Sequence, residues 1–221
     1  MSDDSAASID VFQDLTLRLG SRPLKEVHDA LVAQTAKPWR HAPERETHDS
    51  LHTEAEFFAF EREEDGDSPN VGLVLWKEPD CLHVTNIVPI QTGQLSYRQY
   101  NAALRDFSNR IAAPVAAKLG LKLDISSATE SLTDWMSEST AILLRRFSLL
   151  ANKSTGSSHP MDRERWLAFV IAAHQERREV SGYLKRWLIE VEHWPVETAT
   201  ELAIEYDFGV ELLKTYDQRQ G

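Results

Sequence analysis

The chain is poor in four things, and each shortage closes off a class of function. It has one cysteine in 221 residues, Cys81, so no disulfide can form within it. That fits a reducing compartment. It has nine glycines and carries neither G-x-G-x-x-G nor G-x-x-x-x-G-K-[ST], the two common glycine-rich cradles for phosphate. In KSTGSS the lysine precedes the glycine, and the stretch follows a predicted helix. No apolar run approaches the roughly 20 residues that span a bilayer; WLAFVIAA is among the longest. Positive charge is scarce as well, with 24 Lys and Arg against 35 Asp and Glu and a net charge of −11. So acidic a balance repels phosphates and disfavours non-specific nucleic-acid binding. The first ten residues, MSDDSAASID, have neither the basic nor the apolar region of a signal peptide. A cytoplasmic protein without membrane contact is expected.

What is there is unevenly spread. Residues 1–144 carry −10, residues 145–186 carry +5 and residues 187–221 carry −6. The one basic segment either packs beside acidic helices of the same molecule or forms a local anion-binding surface. It is the only place where nucleic acid is a candidate partner. Hydrophobic residues make up 42%, enough for a real core.

Periodicity then suggests the elements. IDVFQDLTLRLG, with apolar residues at 9, 12, 15 and 19, reads as a short helix closed by Gly20. SRPLKEVHDALVAQ reads as a second helix with Leu24, Val27, Leu31 and Val32 on one face, and TAKPWRHAPERETHDS as a loop. EAEFFAFERE, NVGLVLWKE and CLHVTNIVPI read as three strands joined by turn-forming links, hence an antiparallel meander. Alternation in the third places Leu82, Val84, Asn86 and Val88 on one side. Ser96 and Gln99 fit a capping box that opens a helix over 97–119, interrupted at Pro114 and closed by Gly120. LKLDIS reads as a fourth strand. Helices are expected at about 131–151, 161–177, 179–193 and 196–217.

The fold class is therefore α+β: a small antiparallel sheet of three to four strands packed against a central helix, with a mostly helical C-terminal half. Residues 1–9 read as a tail and 10–219 as one domain, with possible sub-lobes at 10–127 and 128–219.

No complete catalytic motif is present. Neighbouring Glu78 and Asp80 should raise the Cys81 pKa and make it a poor nucleophile. His48 and His52 in HDSLH have the four-residue spacing of two ligands on a helix face, but the segment does not read as a helix, and no metal site and no cofactor are expected. Arg22 and His28 in RPLKEVH resemble the Arg and His pair of the HEPN ribonucleases. The polar residue common after that arginine is Pro23 here, and two fixed residues arise readily by chance.

The stretch STGSSHPMDRERWLAFVIAAH, residues 154–174, divides in two. From Pro160 onward a helix start explains it: proline at the first helical position, Asp162 and Glu164 in the first turn, and an apolar stripe of Trp166, Phe169, Val170 and Ala173. The preceding Ser157, Ser158 and His159 could instead line an anion site. His159 and His174 would serve as acid–base groups, with Arg163 and Arg165 stabilising charge. Asn86, Tyr97 and Asn101 are candidates to line a ligand cleft.

Two functions follow as expectations. The first is an acidic binding protein, a bacterial accessory, regulatory or immunity-type subunit that works through contact with a protein partner of basic character, with self-association open. The second is an enzyme on a phosphate-containing substrate, RNA among them, using His159, Arg163 and His174.

Overall fold

The structure, a computed structural model, describes residues 7–46, 56–65, 69–91, 93–177 and 180–220. It is α+β with antiparallel strands and a helical C-terminal region. Two compact units divide the chain: Val11–Ala128, and Met1–Asp10 together with Thr129–Gly221. No helix among the described residues is long and apolar enough to cross a membrane.

The sequence runs into the sheet unit at Val11, inside the stretch where a helix is expected over 9–20. Those residues are strands, β1 Ile9–Asp10 and β2 Leu15–Arg18. The burial explains the correction: Ile9, Val11, Gln13, Leu15, Leu17 and Leu19 are all buried and every residue between them is not. That is the two-residue period of a strand with one face on a core. The helix α1 follows at Leu24–Gln34 and buries Val27 and Leu31. The expected loop after it holds a further strand, β3 Trp39–His41, and one helical turn, α2 Pro43–Glu46.

The meander is present as β4 Phe57–Arg62, β5 Val71–Lys77 and β6 Cys81–Pro89. With β7 Lys122–Ile125 the sheet has, among the described residues, six strands in the order β3-β4-β5-β6-β2-β7, rather than three to four. The sequence-based count missed β2 and β3.

A second correction lies in β6. Val74 pairs with Asn86, but Leu75 pairs with Val84, so Thr85 is an extra residue. One inserted residue reverses the facing of everything beyond it. Val84 and Ile87 are buried, while Asn86 and Val88 are exposed, against the expectation that Asn86 shares the apolar face.

The capping box at Ser96 and Gln99 opens α3 Tyr97–Phe107. A π-helical turn, Ser108–Ala112, joins it to α4 Ala113–Leu119, where Pro114 lies in the first turn. The wider turn accommodates a proline that cannot donate to the preceding carbonyls. Gly120, at φ 69°, ends the helix in the left-handed region. Tyr100, Leu104, Phe107, Ile111 and Val115 face the sheet side chains Leu15, Leu17, Phe60, Leu73 and Leu82 in one core.

The helical unit contains β1 paired with β8 Thr129–Glu130, then α5 Leu132–Trp135, α6 Glu138–Leu150, α7 Pro160–Gln175, α8 Ser181–Glu190 and α9 Val196–Gln220. The expected helix over 131–151 is split at Met136–Ser137, where Ser137 caps α6. Glu176, just past α7, accepts the Ser137 amide at 2.8 Å and both the Ser137 and Thr140 hydroxyls. A carboxylate at a helix N-terminus satisfies free amides and opposes the helix dipole.

The core of this unit is aromatic. Phe147 lies against Trp166 at 4.9 Å and Trp194 at 5.3 Å between centroids, and Trp135 stacks on Tyr183 at 4.8 Å. Three of the buried indoles have hydrogen-bond partners: Trp194 donates to Ser148, Trp135 to Glu130 and Trp187 to Glu192. Gly209 lets α9 approach α7, since a Cβ there would meet Val170 Cγ1 at 2.9 Å. Valine is stiff about χ1 and cannot swing clear. Gly209→Ala is therefore expected to destabilise by about 1 kcal/mol, overpacking outweighing the helix propensity gained. A higher urea midpoint for the alanine variant would contradict this.

Candidate functional site

In the helical unit, the expected site residues are spread along the 154–159 loop and α7 rather than gathered at one point. Gly156 turns at φ 59° and allows the loop to press on α9, where a Cβ would sit 3.1 Å from Thr198 Cγ2. Next to it Ser157 is buried and donates to Glu205 Oε2 at 2.6 Å. Ser158 donates to the Thr155 carbonyl at 2.7 Å, and Ser154 closes on Asn152. The hydroxyls thus shape the loop and fix it to α9.

His159 is exposed at the N-cap of α7 and makes no side-chain cap bond. Arg163 is exposed too. Arg165 binds the buried Asp162 at 2.7 Å, and Asp162 completes the expected first-turn acid. His174, on the last turn of α7, meets Asp217 of α9 at 2.9 Å. Trp166, Phe169, Val170 and Ala173 are the buried stripe, as their spacing predicts. A groove of about 310 Å³ lies along Leu143, Arg146, Met161 and Arg165. It takes in neither His159 nor His174.

The outer face of the same unit is unexpectedly apolar. On α9, Ile204, Phe208, Leu212 and Tyr216 recur every four residues and are 63%, 71%, 58% and 59% exposed. Glu201, Glu205, Asp207 and Glu211 flank them on the exposed side of the helix. The buried residues Thr198, Ala199, Leu202 and Tyr206 occupy the opposite side. The expectation of a helix over 196–217 did not include this division. Its signal, a second i, i+4 series out of phase with the first, is visible in the sequence.

In the sheet unit, Asn101 proves to be a structural clamp. Its Oδ1 accepts the Gln13 amide and its Nδ2 donates to the Val11 carbonyl, both at 2.8 Å. Tyr97 packs on Phe12 at 4.3 Å between centroids. Asn86 lines a shallow groove of about 470 Å³ with Phe12, Asp14, Leu95 and Tyr100. Burial, with the Asp14 carboxylate adding to it, pushes the Tyr100 phenol up to about 12, so it stays protonated near neutrality. Cys81 is buried and its thiol is raised, chiefly by burial and then by its hydrogen bond to Glu78. The direction is the one its acidic neighbours predict.

A cluster that spacing does not reveal also lies in this unit. His28 of α1, His41 of β3 and Glu46 of α2 direct three ligand atoms to one place, all within 4.8 Å of one another. His28 Nε2 and His41 Nε2 are 3.5 Å apart, and His41 Nε2 is 2.8 Å from Glu46 Oε1. His28 stacks on Phe58 at 4.2 Å. Arg22, its partner in the ribonuclease-like spacing, is instead bound to Glu26 and to the Leu119 carbonyl. The other histidine pair, His48 and His52, lies outside the described residues.

No family model matches the chain, and neither a curated protein nor a solved structure is similar to it.

Proposed function

We propose that the protein is an acidic binding protein whose helical unit takes up a basic, amphipathic segment of a protein partner along α9. The observation that carries this reading is the exposed series Ile204, Phe208, Leu212 and Tyr216 with its acidic border. Contiguous exposed apolar patches on soluble proteins mark interaction sites. Anchors at i, i+4 intervals are the pattern by which helical segments are recognised. The acidic border selects the partner's charge. A second copy of the chain seated on the same face would bring one acidic border, with Glu201, Asp207 and Glu211, against the other, which is repulsive. Lysine or arginine beside apolar anchors would not suffer this. The alternative, an enzyme on a phosphate-containing substrate, has less support, because Arg165, His174 and Ser157 are each engaged by a carboxylate.

The test uses a synthetic amphipathic helix with leucines at i, i+4 spacing and lysines beside them. Binding to the full chain is expected, weakening as salt rises. Phe208→Asp should weaken it at least about 30-fold, the loss of a central anchor. Stability should stay within about 0.5 kcal/mol, since the side chain is exposed. Equal affinity for the Phe208→Asp variant would overturn the proposal. So would sedimentation showing a dimer that the same substitution dissociates.

A further inference from the structure

We propose that His28, His41 and Glu46 form a binding site for a divalent transition-metal ion of the zinc type, in the sheet unit and independent of the α9 surface. The donor set is the first argument. Two imidazoles and one carboxylate suit zinc and its neighbours, whereas calcium and magnesium prefer oxygen throughout. Three protein ligands of this kind leave a fourth tetrahedral position for water or another ligand's donor atom.

The geometry is the second. Metal–nitrogen and metal–oxygen bonds of about 2.0–2.2 Å place tetrahedral donors about 3.3 Å apart. The two imidazole nitrogens are at 3.5 Å, the His41–Glu46 contact is at 2.8 Å, and no pair in the cluster exceeds 4.8 Å. Small changes in side-chain torsion bring all three onto one ion.

The third argument is proton accounting. His41 Nε2 faces both His28 Nε2 and Glu46 Oε1. One ring nitrogen carries at most one hydrogen. If His41 donates it to Glu46, it has no lone pair left there to accept from His28. A cation at the centre satisfies all three donors at once.

The surroundings hold the ligands in place, as metal sites require. The Phe58 ring supports His28, and Asp29 lies 3.7 Å from the other nitrogen of that imidazole. The Ala59 amide donates to Glu46 Oε1 at 2.9 Å. Arg40 of β3 and Arg45 of α2 both bind the buried Glu61 of β4. These pairs fix the two elements that carry His41 and Glu46 to the same strand. The three ligand side chains are half-buried, so the open position reaches solvent.

The experiment is a zinc titration of the chelator-treated full chain by calorimetry, with cobalt(II) absorption reporting coordination. One ion per chain is expected, with cobalt bands of four- or five-coordinate intensity. His28→Gln and His41→Gln should each weaken zinc binding at least about 100-fold, a removed ligand costing no less than a lost ligand support. The double variant His48→Ala/His52→Ala should bind as the wild type does. Long-range proton–nitrogen spectra of the wild type give a readout that needs no variant to fold: zinc must shift the ring nitrogens of His28 and His41. Unchanged ring nitrogens would overturn the site. So would undiminished affinity in folded His28→Gln and His41→Gln variants, or loss of binding only in the His48→Ala/His52→Ala variant.

Discussion

Asp106→Ala is expected to lower stability by roughly 3 kcal/mol, a sizeable share of the 5–15 kcal/mol typical of a folded protein. Asp106 projects from α3 and accepts from three elements. Trp39 Nε1 of β3 donates at 2.8 Å, Arg62 Nε of β4 at 3.2 Å and Arg110 Nε of the π-helical turn at 2.6 Å. Arg62 is 6% exposed, so removing Asp106 takes an ion-pair partner from a charge in a largely dry place. Asp106→Asn keeps an acceptor and should lose less than half as much. The effect also has a pH signature. Burial by itself would raise the Asp106 carboxyl, but the hydrogen bonds from Arg110, Trp39 and Arg62 outweigh it and hold the group below its usual range. A carboxyl whose pKa is lower folded than unfolded binds more protons in the unfolded state. Its contribution is complete above the unfolded value of about 3.9 and disappears as pH falls through the folded one. Urea midpoints at pH 7 and pH 3 check both parts: the gap between wild type and Asp106→Asn should narrow in acid. A gap that widened in acid would refute the assignment.

Asn101→Ala is expected to cost about 2–5 kcal/mol, because it strands two buried backbone groups at once, each worth about 1–3 kcal/mol. The Gln13 amide and the Val11 carbonyl sit 88 and 90 residues away along the chain. The same segment is held by Gln13 Nε2 donating to the Ser126 carbonyl, by Arg105 donating to Gln13 Oε1 and by the Asp14 amide donating to Ser126 Oγ. Loss of the clamp should therefore loosen residues 11–14 before it unfolds the rest. Amide exchange at Gln13 should accelerate more than exchange in the central strand β5. Uniform acceleration would mean that the clamp has no local role.

The sequence speaks clearly where one local period dominates. The meander, the Ser96–Gln99 cap and the α7 stripe were all legible because each is decided by residues a few positions apart. It is less clear where two periods overlap. Ile9, Leu15 and Leu19 fit a helical spacing only if Val11 and Leu17 are ignored. Phe12, which supplied the false fourth position, is exposed. A bulge is harder still: nothing in LHVTNIVP marks Thr85 as extra until its partner strand is known, and the misreading of Asn86 follows from that alone. The His28–His41–Glu46 cluster was beyond reach for a different reason. Its members come from a helix, a strand and a turn, and β3 and α2 lie in a segment whose two prolines read as a loop. Asn101 was visible as a polar residue on a helix, but its partners are backbone atoms, which no side-chain pattern announces.

The helical unit is written in two pieces of sequence, Met1–Asp10 and Thr129–Gly221, with the sheet unit between them. The two ends of that intervening unit are joined by the Val11 amide on the Ala128 carbonyl at 2.9 Å. On a ribosome adding about 5–20 residues per second, β1 emerges and then waits several seconds while nearly 120 residues of the other unit are made. Only then does β8, its pairing partner, exist. Assembly is thereby ordered in time. The sheet unit has its whole sequence first, and by closing Val11 against Ala128 it returns the growing chain to the place where β1 has been left.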